Sequence, residues 1–323
     1  MKVTVLMPIY NAEKYICEAI DSLLAQTSPN WRLICIDDGS TDSSASIVES
    51  YCAKDERIKL IRQANAGPAV ARAKAIEITD TEYVSILDAD DAYATNYVEL
   101  MLKRAAETDA DSIVPDVEVE YGNTKKEPTI FTQHNLCPNR IIDNGQEAFG
   151  MTIPWQLHGW QMIRTSLAKK YYTVDLASYS NFNSDEYITR LLYLKSNKVA
   201  LCSAQYRYRI SPNSITRKPS LKKFDYLKTL DKLVDLCYQE RIDKKIMLRL
   251  YNDYYVTLIS MLKLTKELNL NEAKIGQKAV RNAYLYSYRA KFPYFIYSIT
   301  PIKTILKFML SLINFNIIKA IAK

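Results

Sequence analysis

Apolar residues in the first hundred positions alternate between short continuous runs and segments with a helical repeat. The runs predict buried strands, and the repeats predict amphipathic helices. The predicted strands are Val3–Met7, Trp31–Ile36, Ile58–Ile61 and Tyr83–Leu87, and the predicted helices are Glu13–Ala25, Ser43–Ala53, Ala69–Ile78 and Val98–Ala106. We expect Asn11 to cap the first helix, and Ser40 or Thr41 to cap the second. This alternation indicates an α/β fold with a mostly parallel sheet.

The pattern becomes more irregular after position 110 and almost wholly helical after Pro219. Strands are predicted at Ser112–Pro115 and Val199–Tyr208, helices at Leu167–Tyr171 and Asp185–Leu194, and a surface excursion at Glu118–Gly145. The later helices are predicted at Leu221–Glu240, Lys244–Leu268, Asn271–Arg289 and Pro301–Ala322. We therefore expect an α/β domain over residues 1–215 and a C-terminal helical region over residues 216–323.

Composition narrows the chemistry that the chain can perform. Among 323 residues there are only seven glycines, and neither a GxGxxG nor a GxxxxGK phosphate loop occurs. The six cysteines are scattered without a CxxC pair, which is typical of reduced thiols in a cytosolic protein. With two histidines in the whole chain, any metal ion must be held by carboxylates.

The net charge of +7 is concentrated in the second half of the chain, where nucleic acid and anionic membrane are both candidate partners. Lysines interrupt the apolar residues of Pro301–Ala322 too often for a membrane-spanning helix. That stretch fits either an interfacial helix on an anionic membrane or a helix docked on the protein's own core. The amino terminus has no signal-peptide pattern, so we expect a cytosolic protein.

An acidic cluster follows the fourth predicted strand. Asp88-Ala89-Asp90-Asp91 places three carboxylates within four positions, directly after Tyr83–Leu87. Carboxylates this close repel one another unless water, hydrogen-bond donors or a cation stabilises them. Mg²⁺ and Mn²⁺ prefer such oxygen ligands and commonly bind one or two carboxylates together with substrate phosphates. The cluster is either a metal–diphosphate site or a solvated turn.

Polar residues also follow the other three strands. They are the segments Pro8–Asn11, Asp37–Asp42 and Asn65–Pro68, the last followed by Arg72. Ligands of open α/β sheets bind at the carboxyl ends of the strands, so these segments are expected to share one edge with the acidic cluster. A carboxylate after the second strand can accept hydrogen bonds from a uracil imide or from ribose hydroxyls, and Arg72 can neutralise phosphates. This convergence favours a nucleotide-diphosphate site.

The four segments Met7–Glu13, Ile36–Ser43, Asn65–Ala73 and Leu87–Asp91 resemble glycosyltransferase family 2 in order and spacing. The resemblance implies the GT-A fold, a Rossmann-like and mostly parallel sheet flanked by helices. It also implies a DxD metal motif that binds Mn²⁺ or Mg²⁺, a nucleotide-diphosphate sugar donor and inversion of the anomeric configuration. One departure is Ala73-Lys74-Ala75, where family members often have Asn-Gly.

The same resemblance implies roles for residues of the donor site. Pro8, Tyr10 and Glu13 would line the nucleotide pocket, Asp38 would face the base, and Arg72 would lie near the base or the diphosphate. In the motif Asp88-Ala89-Asp90, Asp88 would contact ribose or sugar hydroxyls and assist Asp90, the metal ligand. Asp91 would be either a further ligand partner or a cap for the next helix.

The resemblance also identifies a candidate general base. Asp185 stands where family members carry Glu-Asp before a helix, although the preceding acid is here Ser184, and Glu186 would share the role. The alternative is that Asp185 is a helix N-cap and Glu186 a partner of the helix dipole.

Two further segments complete the implied site. The segment that contains Trp155, His158 and Trp160 would border the donor sugar and the acceptor. Arg209, with the hydroxyls of Ser214 and Thr216, would lie near the diphosphate in a closing loop.

The expected function is that of a sugar transferase of the capsule or O-antigen type. It would move a hexose or N-acetylhexosamine from a nucleotide-diphosphate sugar, UDP by family habit, to a lipid-linked or oligosaccharide acceptor at the inner face of the cell membrane. Peripheral membrane contact would come from the C-terminal helix. The alternatives are a nucleotidyltransferase, which would normally have a glycine-rich phosphate loop, and a non-catalytic module that binds nucleotide or nucleic acid. Because Asp88 and Asp90 are both present, nucleic acid is not the expected partner.

Overall fold

The computed structural model describes residues 1–121, 125–180, 182–210 and 218–295. The chain divides into two compact units, Met1–Pro212 and Asn213–Lys323. The predictions for Ser214, Thr216 and the helix Pro301–Ala322 fall outside the described residues.

The first unit contains the sheet and the helices that flank it. Its strands are β1 (Val3–Ile9), β2 (Trp31–Asp37), β3 (Ile58–Arg62), β4 (Tyr83–Ile86), β5 (Ala92–Tyr93), β6 (Ser112–Tyr121), β7 (Lys125–Lys126), β8 (Ile141–Ile142), β9 (Met162–Arg164) and β10 (Val199–Arg209). Its helices are α1 (Ile16–Leu24), α2 (Ser44–Cys52), α3 (Pro68–Glu77), α4 (Tyr97–Thr108), α5 (Ile130–Gln133), α6 (Gly145–Met151), α7 (Thr165–Tyr171), α8 (Val174–Ala177) and α9 (Ser184–Lys195).

The described strands form one mixed sheet in the order β3-β2-β1-β4-β9-β6-β10-β5, with β7 beside β6 and β8 beside β10. Strands β1 to β4 are mutually parallel where they pair, and β6 is parallel to β10. The short strand β9 joins the two halves antiparallel to β4 and β6. The prediction of an α/β fold with a mostly parallel sheet is confirmed.

The register of the parallel strands brings the candidate residues to one edge. Ile9 at the end of β1 pairs with Asp37 at the end of β2, and Leu6 pairs with Ile86 at the end of β4. The residues that follow these strands therefore leave the sheet on the same side, as parallel pairing requires.

Each face of the sheet is covered by its own hydrophobic cluster. On one face Val5 packs with apolar residues of α1, α2 and α4, whereas Leu6 belongs to the cluster of α3, α7, α8 and α9 on the other face. Neighbouring strand residues point to opposite faces, so a sheet buried on both sides needs continuous apolar runs. This explains why the strands read as uninterrupted hydrophobic segments.

Both predicted helix caps are wrong. Asn11 lies before α1 with a φ of 51°, and α1 begins only at Ile16. The Asn11 side chain instead accepts a hydrogen bond from the Thr41 amide at 2.8 Å. Neither Ser40 nor Thr41 caps α2, which is preceded by Ser43. These side chains form contacts between the two loops instead of capping the helices. Such contacts cannot be predicted from the local sequence.

Strand β6 is longer than predicted because it pairs with β10 beyond a register shift. The predicted strand ended at Pro115, but Asp116 to Glu120 continue alongside Gln205 to Arg209. Residues 118–121 therefore belong to the sheet, and the prediction of a surface excursion from Glu118 is wrong for them.

The second unit is helical within residues 218–295. A 3₁₀ turn (Leu221–Asp225) precedes α10 (Tyr226–Gln239), α11 (Lys244–Leu264) and α12 (Leu270–Phe295). Gly276 on α12 allows close packing, since a β-carbon there would lie 2.6 Å from the Phe224 ring. Of the helices described, none has the length and the apolar character needed to span a bilayer.

Candidate active site

The loops after β1 and β2 are held together by side chains of the first predicted motif. The Asn11 backbone amide donates to the Ser40 hydroxyl at 3.1 Å, and the side-chain oxygen Oδ1 of Asn11 accepts from the Thr41 amide. Tyr10 is half exposed beside this contact, and Pro8 is partly buried. The exposed Tyr10 ring is thus available at the edge where a nucleotide is predicted to bind.

Glu13 belongs to the same junction between loops. Its carboxylate accepts from the Ser43 amide at 3.0 Å, while its own amide donates to Asp42 at 3.1 Å. Burial opposes ionisation of Asp42, but hydrogen bonds from the Ser44 hydroxyl and amide and from the Glu13 amide outweigh it and lower the pKa of Asp42. Glu13 therefore links the two loops, and its role in the nucleotide pocket stays a prediction.

Asp38 anchors the loop between β3 and α3. The buried carboxylate accepts hydrogen bonds from the Gln63 side chain at 2.6 Å and from the Ala66 and Gly67 amides, each at 2.8 Å. Gly67 has a φ of 92°, a conformation that a residue with a β-carbon rarely adopts. Both Asp38 oxygens are engaged with protein groups, and the role of Asp38 toward a base stays a prediction.

Arg72 connects two acids that are far apart in the sequence. One terminal nitrogen, Nη2, donates to Asp88 at 2.5 Å, and the other, Nη1, donates to Asp185 at 2.9 Å. The Arg72 side chain is only 10% exposed. Although burial disfavours its charge, the two carboxylates raise the pKa of Arg72 well above its usual value. The cation therefore persists between the candidate base and the acidic motif.

Asp88 receives a second donor from Trp160. The indole Nε1 donates to the other Asp88 oxygen at 3.2 Å, and the indole ring stacks on Tyr206 with 4.8 Å between ring centroids. Trp160 is thus brought to the acidic motif, and its role beside the donor sugar stays a prediction. His158 instead lies buried, with Nε2 3.0 Å from the Pro115 carbonyl, and burial lowers the pKa of His158 to about 4.

Asp91 is a structural acid. It is buried and accepts hydrogen bonds from the Tyr206 hydroxyl at 2.6 Å and from the Arg209 amide at 2.8 Å. Burial, followed by repulsion from Asp88 and Asp90, raises the pKa of Asp91. Asp91 caps no helix, since Asn96 precedes α4, and its two oxygens are already bound. The cap alternative is wrong, because the distant strand β10 supplies the donors of Asp91, and the alternative of a ligand partner stays a prediction.

Asp90 contrasts with its two neighbours. It forms no ion pair and accepts no hydrogen bond from another of the described residues. Burial, together with the nearby Asp88 charge, raises the pKa of Asp90. Within the described ranges no three His, Cys, Asp or Glu side chains converge on a point suited to a metal ion. A site of one or two carboxylates completed by substrate phosphates is compatible with this arrangement.

Asp185 and Glu186 lie in the first turn of α9. Asn183 occupies the N-cap position, so the alternative in which Asp185 is the cap is wrong. Asp185 is 38% exposed, whereas Glu186 is 15% exposed and pairs with Arg190 at 2.9 Å. Arg190 in turn lies over the Trp155 ring, 4.5 Å from its centroid. The accessible carboxylate of the two is that of Asp185.

The side chain of Arg209 is directed to α1. It forms an ion pair with Glu18, which raises the pKa of Arg209, and lies 5.1 Å from the centroid of the Tyr15 ring. Its predicted place near a diphosphate stays a prediction. Sequence reasoning missed Tyr206 and Glu18 as partners at this edge. The alternation of tyrosine and arginine along β10 was the available signal, since period two places Tyr206 and Tyr208 on one face.

The chain has measurable similarity to known proteins. The family model described as Glycosyl transferase family 2 matches residues 4–171. Glycosyltransferase GlyA of Streptococcus pneumoniae serotype 4 is 31% identical over 225 residues, which are 67% of this chain and 32% of that protein. The chain thus spans about a third of the length of that relative.

Two solved structures share the fold. Staphylococcus aureus TarS 1-349 in complex with UDP has a TM-score of 0.75 at 20% identity, covering 100% of this chain and 89% of that one. The mannosyltransferase PcManGT from Pyrobaculum calidifontis, in complex with GDP-Man and Mn²⁺, has a TM-score of 0.56 at 15% identity, covering 99% of this chain and 84% of that one. The fold, the matched family model and the four motifs agree: the chain belongs to glycosyl transferase family 2 and is a glycosyltransferase with the GT-A fold.

Proposed function

We propose that the enzyme transfers a hexose or N-acetylhexosamine from a UDP-sugar to a saccharide acceptor with inversion of configuration. One observation carries this proposal: Arg72 joins Asp185 to Asp88 at the carboxyl edge of the sheet. A candidate base for the acceptor is thereby held beside the acid of the donor motif. Direct displacement at an anomeric carbon requires a base for the acceptor hydroxyl and a group that binds the donor, both in one site.

The donor nucleotide would bind over the loops that follow β1 and β2. Tyr10 offers an exposed ring for stacking, and Pro8 and Glu13 flank it in the same segment. UDP is the nucleotide that we test first because the TarS structure of similar fold was solved in complex with it. The GDP-Man complex of PcManGT makes guanosine the alternative outcome.

A divalent cation, Mn²⁺ or Mg²⁺, would be held chiefly by Asp90. The half-buried Asp90 carboxylate has no hydrogen-bond or ion-pair partner among the other described residues. By contrast, both oxygens of Asp88 already accept hydrogen bonds, one from Arg72 and one from Trp160. Asp88 would be the weaker second ligand. When bound, the cation supplies positive charge to the leaving diphosphate. Ala89 between them is buried, which keeps the two carboxylates on a short and closely packed turn.

Asp185 would act as the general base. One of its oxygens accepts from Arg72 and the other from the Glu186 amide, and these donors fix the carboxylate while it stays accessible. Asp185 takes the proton of the acceptor hydroxyl as that oxygen bonds to the anomeric carbon. The bond from the anomeric carbon to the diphosphate oxygen breaks on the opposite face, which inverts the configuration.

The acceptor and the location are further parts of the proposal. The Trp155 ring lies against Arg190 of α9, and the Trp160 indole donates to Asp88. Indole rings stack well on sugar faces. We propose a lipid-linked or oligosaccharide acceptor at the cytosolic face of the membrane. Support comes from the excess of Lys and Arg after position 218, which favours an anionic surface.

The test is a screen of nucleotide sugars for stabilisation of the protein against heat, with and without Mn²⁺, followed by transfer assays on the hits. We expect UDP and one or more UDP-sugars to raise the Tm only with metal. Asp90→Ala should abolish this metal-dependent shift. The matched control is Asp80→Ala, because Asp80 is an exposed acid in the same unit whose partner Arg32 is also exposed.

Two results would contradict the proposal. UDP binding that is equal with and without metal, and unchanged by Asp90→Ala, would overturn the metal site. Absence of sugar transfer and of donor hydrolysis with every donor, in protein that binds UDP, would overturn the proposed reaction.

A further inference from the structure

The contacts of Arg72 differ from those expected for the donor-binding role that the sequence implies. Its two terminal nitrogens are both engaged by protein carboxylates, at 2.5 Å to Asp88 and 2.9 Å to Asp185. The side chain projects from α3, whose small buried residues bring the helix close to the sheet. Arg72 Nε has no hydrogen-bond partner, but it is buried, and with the side chain only 10% exposed little of the guanidinium is open to a diphosphate.

In each of the two carboxylates, one oxygen accepts a hydrogen bond from Arg72 and the other accepts from a second donor. Asp88 receives the Trp160 indole on its second oxygen, and Asp185 receives the Glu186 amide. A planar guanidinium donates in fixed directions, so it sets the mutual orientation of the two acids as well as their separation. Arg72 thus lies between the donor motif after β4 and the acceptor side at α9.

Besides Asp88 and Asp185, the group that acts electrostatically on Arg72 is Tyr172. Tyr172 packs beside it, and burial raises the pKa of that phenol, so it stays neutral. Without Arg72, Asp88 and Asp185 would face each other as like charges at a half-buried edge. Asp185 would then lose the donor that fixes its carboxylate beside Asp88.

We propose that Arg72 is a positioning residue that holds the base Asp185 in register with the donor motif, and that it does not bind the diphosphate directly. This inference rests on the proposed function. It assigns Arg72 to the step in which the acceptor hydroxyl loses its proton. Binding of the nucleotide should depend on Arg72 little, and transfer of the sugar should depend on it strongly.

The experiment compares Arg72→Gln and Arg72→Lys with the wild-type chain in two measurements. Calorimetry with UDP and Mn²⁺ gives donor affinity, and sugar transfer gives turnover. We expect the Kd for UDP to change by less than about threefold, while turnover falls by about 100-fold or more in Arg72→Gln. Arg72→Lys should also lose turnover, because an ammonium cannot reproduce the two directed donors.

A double-mutant cycle distinguishes action through the base from action on the donor. If Arg72 works through Asp185, the variant Arg72→Gln/Asp185→Asn should lose little more turnover than Asp185→Asn alone. Added methylguanidine should restore part of the turnover of Arg72→Ala without changing its affinity for UDP. These two outcomes are not expected of a residue with a merely structural role.

The control is Arg164→Gln. Arg164 also bridges several carboxylates, Glu82, Asp109 and Asp111, but it pairs with Tyr83 at the opposite end of β4. The Arg164→Gln variant should have a lower Tm and an unchanged turnover per folded molecule.

Each contrary result has its own meaning. A tenfold or larger rise in the Kd for UDP in Arg72→Gln, or multiplied losses in the double variant, would overturn the positioning role. A wild-type chain without transfer would instead overturn the proposed function.

Discussion

Two acidic segments leave the same edge of the sheet and are held in different ways. Asp37-Asp38 follows β2, and its carboxylates accept hydrogen bonds mainly from uncharged amides, with Asp37 bound to the Ser40 amide and Asp38 to the Ala66 and Gly67 amides. Asp88 and Asp90 follow β4, where Asp88 is paired with the cation Arg72 and also accepts from the Trp160 indole, and Asp90 has no partner among the described residues.

The difference shows that position at the carboxyl edge does not by itself assign a catalytic role. An acid whose lone pairs are filled by backbone amides shapes a loop, and its removal leaves buried donors without partners. An acid that is paired with a cation, or that has no partner, can still gain interactions when a ligand binds. We expect loss of stability from changes at the β2 end and loss of activity from changes at the β4 end.

The largest effect is expected for Asp185→Asn, which acts on the β4 end through Arg72. Turnover should fall by about 10²- to 10⁴-fold, since an amide cannot take the acceptor proton. Donor affinity should change little, as measured by calorimetry with UDP and Mn²⁺. Equal turnover of the variant and the wild type would assign the base elsewhere, and Glu186→Gln would then be the next variant to assay.

The second effect contrasts the isosteric changes Asp38→Asn and Asp88→Asn in thermal unfolding. An amide nitrogen at position 38 would face backbone donors, so we expect a loss of roughly 3 kcal/mol in the free energy of unfolding. At position 88 Arg72 keeps Asp185 as an anionic partner, and repulsion from neighbouring carboxylates is relieved, so we expect a loss of less than about 1 kcal/mol. Equal losses would remove the distinction between the two ends.

The third effect is a dependence of stability on pH that His158 causes near the β4 end. His158 is neutral in the folded chain, and its Nδ1 lies 3.4 Å from the Trp160 amide, in the loop that brings Trp160 to Asp88. Because burial lowers the pKa of His158 from 6.5 to about 4, the unfolded chain takes up this proton first as the pH falls. The stability that neutral His158 contributes should therefore be lost from about pH 6.5 down to about pH 4, by up to about 1.4 kcal/mol per pH unit, whereas the raised pKa values of Asp90 and Asp91 act in the opposite direction.

The measurement for His158 is a series of thermal melts of the wild type and His158→Gln between pH 7 and pH 4. Glutamine keeps a donor for the Pro115 carbonyl but does not titrate. The stability of the variant should fall less steeply, whereas parallel curves would show that His158 does not contribute.

The smallest effect is expected at the exposed pair of Arg62 and Glu49 near the β2 end. Both side chains are more than half exposed, and such pairs contribute between about 0 and 1 kcal/mol. Arg62→Gln should leave turnover and donor affinity unchanged and shift the Tm only slightly. A loss of turnover would extend the active site beyond the β4 end.

Much of the fold could be predicted because local patterns and tertiary packing agree. The four apolar runs of the first hundred residues became β1 to β4 within about two residues at each end, since both faces of this sheet are buried. The extension of β6 to Tyr121 could not be predicted, because it depends on pairing with β10, about ninety residues later. The cap assignments failed for the same reason, as Asn11 and Thr41 bind each other across two loops.

The sequence by itself determined the family, the α/β architecture and the residues that gather at the carboxyl edge of the sheet. These follow from motif chemistry and from the periodicity of apolar residues, both of which are local. The tertiary structure decided the partners: Asp38 on the β3–α3 loop, Asp91 on β10, and Arg72 between Asp88 and Asp185. Hydrogen bonds and ion pairs depend on distances of a few ångströms between residues up to 118 positions apart, and only the folded chain sets those distances.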